Sequence, residues 1–166
     1  ITGYPVLGLA YPYGAHSPEV VNILQKHKIV YARTVGATQK FQLPDDFMRW
    51  NTTAHHNANI AALAKKYKTY KPWGGVISLC YIWGHSYEFE RENNWEHIEE
   101  ICKKIAYNDE IWYATNIEIY DYVNANKSLR YSADGHMVYN PTLFTVWLDV
   151  DSKLYSIKSG ETIRID

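Results

Sequence analysis

Three short stretches hold residue types that can do chemistry. Trp83-Gly84-His85-Ser86-Tyr87-Glu88-Phe89 places a carboxylate three residues after a histidine. An imidazole exchanges protons near neutral pH, and a nearby carboxylate can orient and tune it. Gly84 lacks a Cβ, so backbone or ligand can come close beside His85. The plainer expectation for His85 is a core histidine with a satisfied hydrogen bond. Arg49-Trp50-Asn51-Thr52-Thr53-Ala54-His55-His56-Asn57 carries two adjacent histidines. Neighbouring side chains of an extended chain point to opposite sides, so one metal is not expected to take both. One of the two is expected at a site. Ala10-Tyr11-Pro12-Tyr13-Gly14 is a turn whose backbone N–H groups can face an oxyanion, although most such turns are structural.

Other chemistries find no support. There is no Gly-rich phosphate loop and no Gly-x-Ser-x-Gly elbow, so a serine hydrolase is not expected. Cys80 and Cys102 are too few for a disulfide scaffold or zinc knuckle and read as buried free thiols. His16, His27, His97 and His136 read as helix-end or surface residues. With 17 basic and 18 acidic residues, the net charge of -1 calls for neither nucleic acid nor an anionic membrane. No apolar run has membrane-spanning length. The 15 tyrosines and 6 tryptophans supply flat faces with polar handles, which suit sugars; for any single ring, core packing is the ordinary role.

The elements that must position these residues alternate. Residues 6–11 and 29–33 read as strands, the first of them buried. Ser17 and Pro18 open the helix between them. Residues 47–51 read as a strand and 57–68 as a helix, broken at 72–75. The apolar run 76–83 reads as a strand buried on both faces. Residues 94–106 form a helix with Trp95, Ile98, Ile101, Cys102 and Ile105 on one stripe. A strand is expected at 111–114, then a helix capped by Thr115 and ending near Asn124. From Leu129 onward, short alternating strands separated by turns predict a small antiparallel β unit. The expected domains are therefore an α/β part over 1–127 and a β unit over 128–166.

Leu9-Ala10-Tyr11-Pro12-Tyr13-Gly14, the helix after it and Ile29-Val30-Tyr31-Ala32-Arg33-Thr34 resemble the third motif region of polysaccharide deacetylases, the NodB-like carbohydrate esterases. Tyr81-Ile82-Trp83-Gly84-His85-Ser86-Tyr87-Glu88-Phe89 resembles the last motif of a bacterial subgroup, and Ile111-Trp112-Tyr113-Ala114-Thr115-Asn116 is similar to it too. The resemblance covers nearly the whole chain. It implies a partial distorted (β/α) barrel, hydrolysis of N-acetyl or O-acetyl groups on sugars, and a divalent metal, zinc by expectation. It implies that His85 is the general acid and that the Tyr13 backbone N–H helps bind the oxyanion. Trp50 would line the substrate groove, with His55, Tyr11, Trp83 and Glu88 also on the substrate side.

The departures are specific. Ala10 stands where the family usually has Arg, and Arg49 stands before Trp50 where the family has Asp. The Thr-Phe-Asp-Asp-Gly motif and the His-x-x-x-His pair are absent, so the chain is expected to hold no metal ligand and to be incomplete for catalysis. Both motifs are expected upstream of Ile1, whose closeness to a strand reads as the start of a fragment. A half barrel would expose its first strand and pair it with a second copy or with its own N-terminal half. The rival reading is a non-catalytic carbohydrate-binding or interaction module on the same fold. The compartment, cytoplasmic or secreted, is left open.

Overall fold

Gly8–Ala10 (β1) leads into a 3-10 turn at Pro12–Gly14 and then to Pro18–Lys26 (α1). The structure, a computed structural model, describes residues 2–72 and 76–166. Ser17 starts α1: its side chain accepts from the Val20 N–H, and Pro18 fills the first turn where an N–H would lack a partner. Tyr31–Ala37 (β2) and Trp50–Thr52 (β3) follow, and β1-β2-β3 form a parallel sheet in that order. Parallel neighbours need a crossover connection, which α1 supplies between β1 and β2. β1 is an end strand, paired with β2 alone among the described residues.

Ala54–His55 (β4) pairs in parallel with Ile82–Trp83 (β5), and Ile60–Lys68 (α2) lies between them in sequence. Asn59 caps α2 by accepting from Ala62. Ser86–Glu92 (α3) and Trp95–Ile105 (α4) complete this unit. One core gathers Tyr11, Val21, Ala32 and Met48. A second gathers Phe41, Ala54, Ile60, Leu63 and Ile101. Ala54 thus anchors in apolar packing the strand whose next two residues are the paired histidines.

The chain divides into compact units at Ile1–Tyr113 and Ala114–Asp166. The second unit opens with Asn116–Lys127 (α5), whose start is a reciprocal capping box between Thr115 and Glu118. Its strands are Arg130–Tyr131 (β6), Met137–Tyr139 (β7), Val146–Val150 (β8), Lys153–Ile157 (β9) and Thr162–Arg164 (β10). β10-β7-β6 and β8-β9 are antiparallel, as the turn spacing predicts. Asn140 is fully buried there and fully used. Its amide donates to the Phe144 and Ile157 carbonyls at 2.7 and 2.8 Å, and its oxygen accepts from Thr142 N and Oγ1.

Several expectations are corrected. Residues 114–127 cluster with the β unit, because Ala125 joins the core of Leu129, Val138, Val146, Ile157 and Ile165. The run 76–83 is not a strand buried on both faces: only Ile82–Trp83 pairs, and Val76 and Ile77 are exposed. Residues 111–114 form no strand, and β1 is shorter and more exposed than expected, with Val6 in solvent. Cys102 is exposed and Cys80 half-buried. Among the described residues the parallel strands close no barrel, which leaves the expectation of a partial one where it stood. The expected break at 72–75 falls mostly outside the described residues.

Candidate functional site

The ladder pairing β4 with β5 places His55 opposite Trp83, and the His56 N–H donates to the Trp83 carbonyl at 2.8 Å. After His55 the chain leaves the strand and turns. The alternation of an extended chain therefore stops at that point, and both imidazoles point to one place. Their ring centroids lie 4.3 Å apart, tilted by 36°. This reverses the expectation that the two would diverge.

They converge on Glu88. His85 occupies the residue before α3, and Glu88 lies in that helix's first turn, so the pair is held by local geometry. His85 Nδ1–H donates to Glu88 Oε1 at 2.7 Å. His56 Nε2 makes a very short hydrogen bond to Glu88 Oε2, and His55 Nε2 lies 3.3 Å from the same oxygen. One carboxylate thus receives three imidazoles. Exposure is graded across them: the His56 side chain is 2% exposed, Glu88 9%, His55 27% and His85 42%. Only His85 presents an imidazole substantially to solvent.

The surroundings fix this cluster. The His56 ring packs against Phe89 at 4.5 Å, and His97 Nε2–H donates to the His56 carbonyl at 2.9 Å. His97 is therefore part of the site's frame rather than a surface residue. Gly84 is required: a Cβ there would lie 2.0 Å from His56 Cδ2. The close approach expected beside His85 is made by the His56 ring. His56 Nδ1 is buried and finds no hydrogen-bond partner. Trp83 carries the Arg33 guanidinium over its ring at 4.2 Å and packs edge-on to His55 and His85.

Charge in the cluster is strongly biased. Burial pushes the Glu88 carboxyl up, but hydrogen bonds from His85 and His56 and the charges of His55 and His56 outweigh it and hold Glu88 at about 2. Glu88 is therefore an anion at any ordinary pH. Burial lowers His55; Glu88 pulls the other way, while His56 and His85 add to the lowering. The arrangement has an ionised carboxylate at its centre and an imidazole at its open side. It can move a proton, and it can bind a cation.

The other expected residues stand elsewhere. Trp50 is 0% exposed and packs against Tyr31, Phe47 and Tyr81, so it is a core side chain and not a groove wall. Tyr11 is buried, with its hydroxyl donating to the Met48 carbonyl at 2.9 Å. It cannot present a substrate surface from there. Tyr13 is 98% exposed with φ of 55°, held in its 3-10 turn by the Gly14 N–H bond to the Tyr11 carbonyl. Arg49 pairs with Asp46 at the surface. A separate cavity of about 160 Å³ is lined by Arg49, Asn51, Thr53 and Tyr81 among others, and by none of the Glu88 cluster.

No protein-family model, curated protein or solved structure matches this chain. No helix among the described residues is long and apolar enough to cross a membrane.

Proposed function

We propose that the chain contributes the proton-donating side of a carbohydrate deacetylase, an amide or ester hydrolase acting on acetylated sugars. The observation that carries this reading is the His85–Glu88 dyad: an exposed imidazole whose Nδ1–H is fixed by a buried, ionised carboxylate. That bond directs Nε2 of His85 outward, the arrangement a general acid needs. In the reaction, water oxygen adds to the acyl carbon and gives up both its protons, one returning to His85 and one passing to solvent, and the C–N bond breaks. His85 Nε2–H gives its proton to the departing amine, and acetate leaves. Glu88 stabilises the charged imidazole before that transfer.

The resemblance implies a divalent metal, whose chemistry is to polarise the acyl carbonyl and acidify water. None of the residues it names in this chain is a ligand to that metal. The exposed Tyr87 ring stacks on His85 at 5.0 Å and offers a sugar face beside the proton donor. This same stack favours the second reading, a carbohydrate-binding module.

Acetate release from N-acetylated oligosaccharides by the protein tests the proposal. His85→Ala is expected to lower kcat by about 10²–10⁴, the usual contribution of a general acid. A full rate in His85→Ala removes the assignment. Binding of oligosaccharide in chelator with no acetate released by any form favours the module.

A further inference from the structure

We infer that the chain carries a transition-metal site of its own, with His55, His56 and Glu88 as ligands and zinc(II) as the fitting ion. One ligand atom from each of these side chains lies within 4.8 Å of the other two. Two imidazole nitrogens and one carboxylate oxygen are the donors of open zinc sites, which keep a fourth position for water. The donor set excludes an oxygen-seeking ion such as calcium or magnesium, which prefers carboxylates and carbonyls without imidazole.

Four features of the structure converge on this. Both imidazoles aim at one oxygen, Glu88 Oε2, which protons alone fill unevenly: His56 is pressed against it while His55 stands off at 3.3 Å. A single cation between them would serve all three donors. The other carboxylate oxygen, Oε1, is already held by His85 Nδ1–H at 2.7 Å, which is the outer-shell bond that orients a carboxylate ligand. His56 is 2% exposed, clamped by Phe89, by His97 through its carbonyl and by the absent Cβ of Gly84, so its ring is set before any ion arrives. His55 is the partly exposed member and gives the ion its route in. Loading requires His55 to carry its proton on Nδ1, which gives up a long 3.3 Å contact from the Asn57 N–H. That contact is weak enough to lose.

This inference does not rest on the deacetylase reading, and its test is uptake of metal rather than activity. The 166-residue chain is stripped with chelator, dialysed and titrated with zinc(II) against a chromophoric competitor. One equivalent is expected to bind. His55→Ala and Glu88→Gln are expected to weaken it by more than the roughly 10–100-fold that losing an outer-shell partner costs, and His85→Ala by no more than that range. His55 is partly exposed, so His55→Ala reports on binding even where His56→Ala fails to fold. Cobalt(II) in place of zinc should give visible d–d absorption without a thiolate charge-transfer band. Cys102→Ser and His136→Asn should bind as the parent does. The inference is overturned if no zinc is taken up, if His55→Ala and Glu88→Gln bind with unchanged affinity, or if uptake disappears in Cys102→Ser. Loss of zinc binding alongside His85-dependent acetate release would sink this site and leave the proposed function standing. Zinc binding without acetate release would do the reverse.

Discussion

Replacing Gly84 with alanine probes the clamp on His56 with one methyl group. The added Cβ would lie 2.0 Å from His56 Cδ2 and 3.0 Å from Cγ and Nε2. Ordinary carbon contacts are about 3.5–4.0 Å, so the ring must retreat by roughly 1.5 Å. The Gly84 backbone is not in the left-handed region, so alanine meets no conformational penalty of its own. Nothing soft lies behind the ring, since Phe89 packs on it at 4.5 Å. Overpacking costs about 1–3 kcal/mol, and a disturbed hydrogen bond to a charged group about 1.5–3 kcal/mol. Gly84→Ala should therefore destabilise the first unit by about 2.5–6 kcal/mol. Urea unfolding followed by tryptophan fluorescence reports on that unit, because every tryptophan except Trp147 lies before Ala114. The decisive measurement is a cycle with His56→Ala. With the ring gone, the methyl meets open space, and Gly84→Ala should cost less than about 1 kcal/mol in that background. If the two effects simply add within about 0.5 kcal/mol, the contact does not exist as described.

Other expectations follow from the charges and from the second unit. In chelator-treated protein, stability should fall steadily as pH drops from neutral. His55 is lowered from 6.5, so charging it favours the unfolded chain below about that pH. Glu88 is lowered from 4.5 to about 2, so its contribution is complete above about pH 4.5 and is lost as pH falls towards 2. Glu88→Gln should flatten the lower part of the profile; an unchanged slope below pH 4.5 in urea midpoints would count against the ion pairing. Asn140→Ala strips four hydrogen bonds from a fully buried position and should cost the second unit about 3 kcal/mol or more, read as lost amide protection over β7 to β9 by hydrogen exchange. A loss below about 1 kcal/mol would mean that water replaces the amide there.

Local signals carried far into the sequence, and long-range ones did not. Ser17-Pro18 and Thr115 mark helix starts because caps act within one turn, and the structure has both. His85 and Glu88 sit three residues apart at the start of a helix, so their pairing is legible as spacing even though nothing in the spacing marks α3 itself. The partnership of His56 with Glu88 spans 32 residues and depends on a turn after β4 that no periodicity encodes. The run 76–83 reads as a buried strand because hydrophobicity reports what a segment could bury, not what neighbour covers it; Val76 and Ile77 are exposed. The resemblance puts Trp50 on a groove wall, yet three aromatic neighbours enclose it. Residues 111–114 show the same limit: an apolar tetrad without a partner strand is a connection.

Glu88 also joins two stretches of chain beside the end of a short ladder. The ladder between β4 and β5 is two residue pairs long. Just beyond its end, the carboxylate on α3 grips the histidines that follow β4. The groups that could do chemistry are thus also a clasp, with one carboxylate at its centre. Function and folding cannot be tuned separately at such an atom. A screen for impaired variants would return Glu88 whether it scored metal uptake or solubility, and improving one property there would draw on the other.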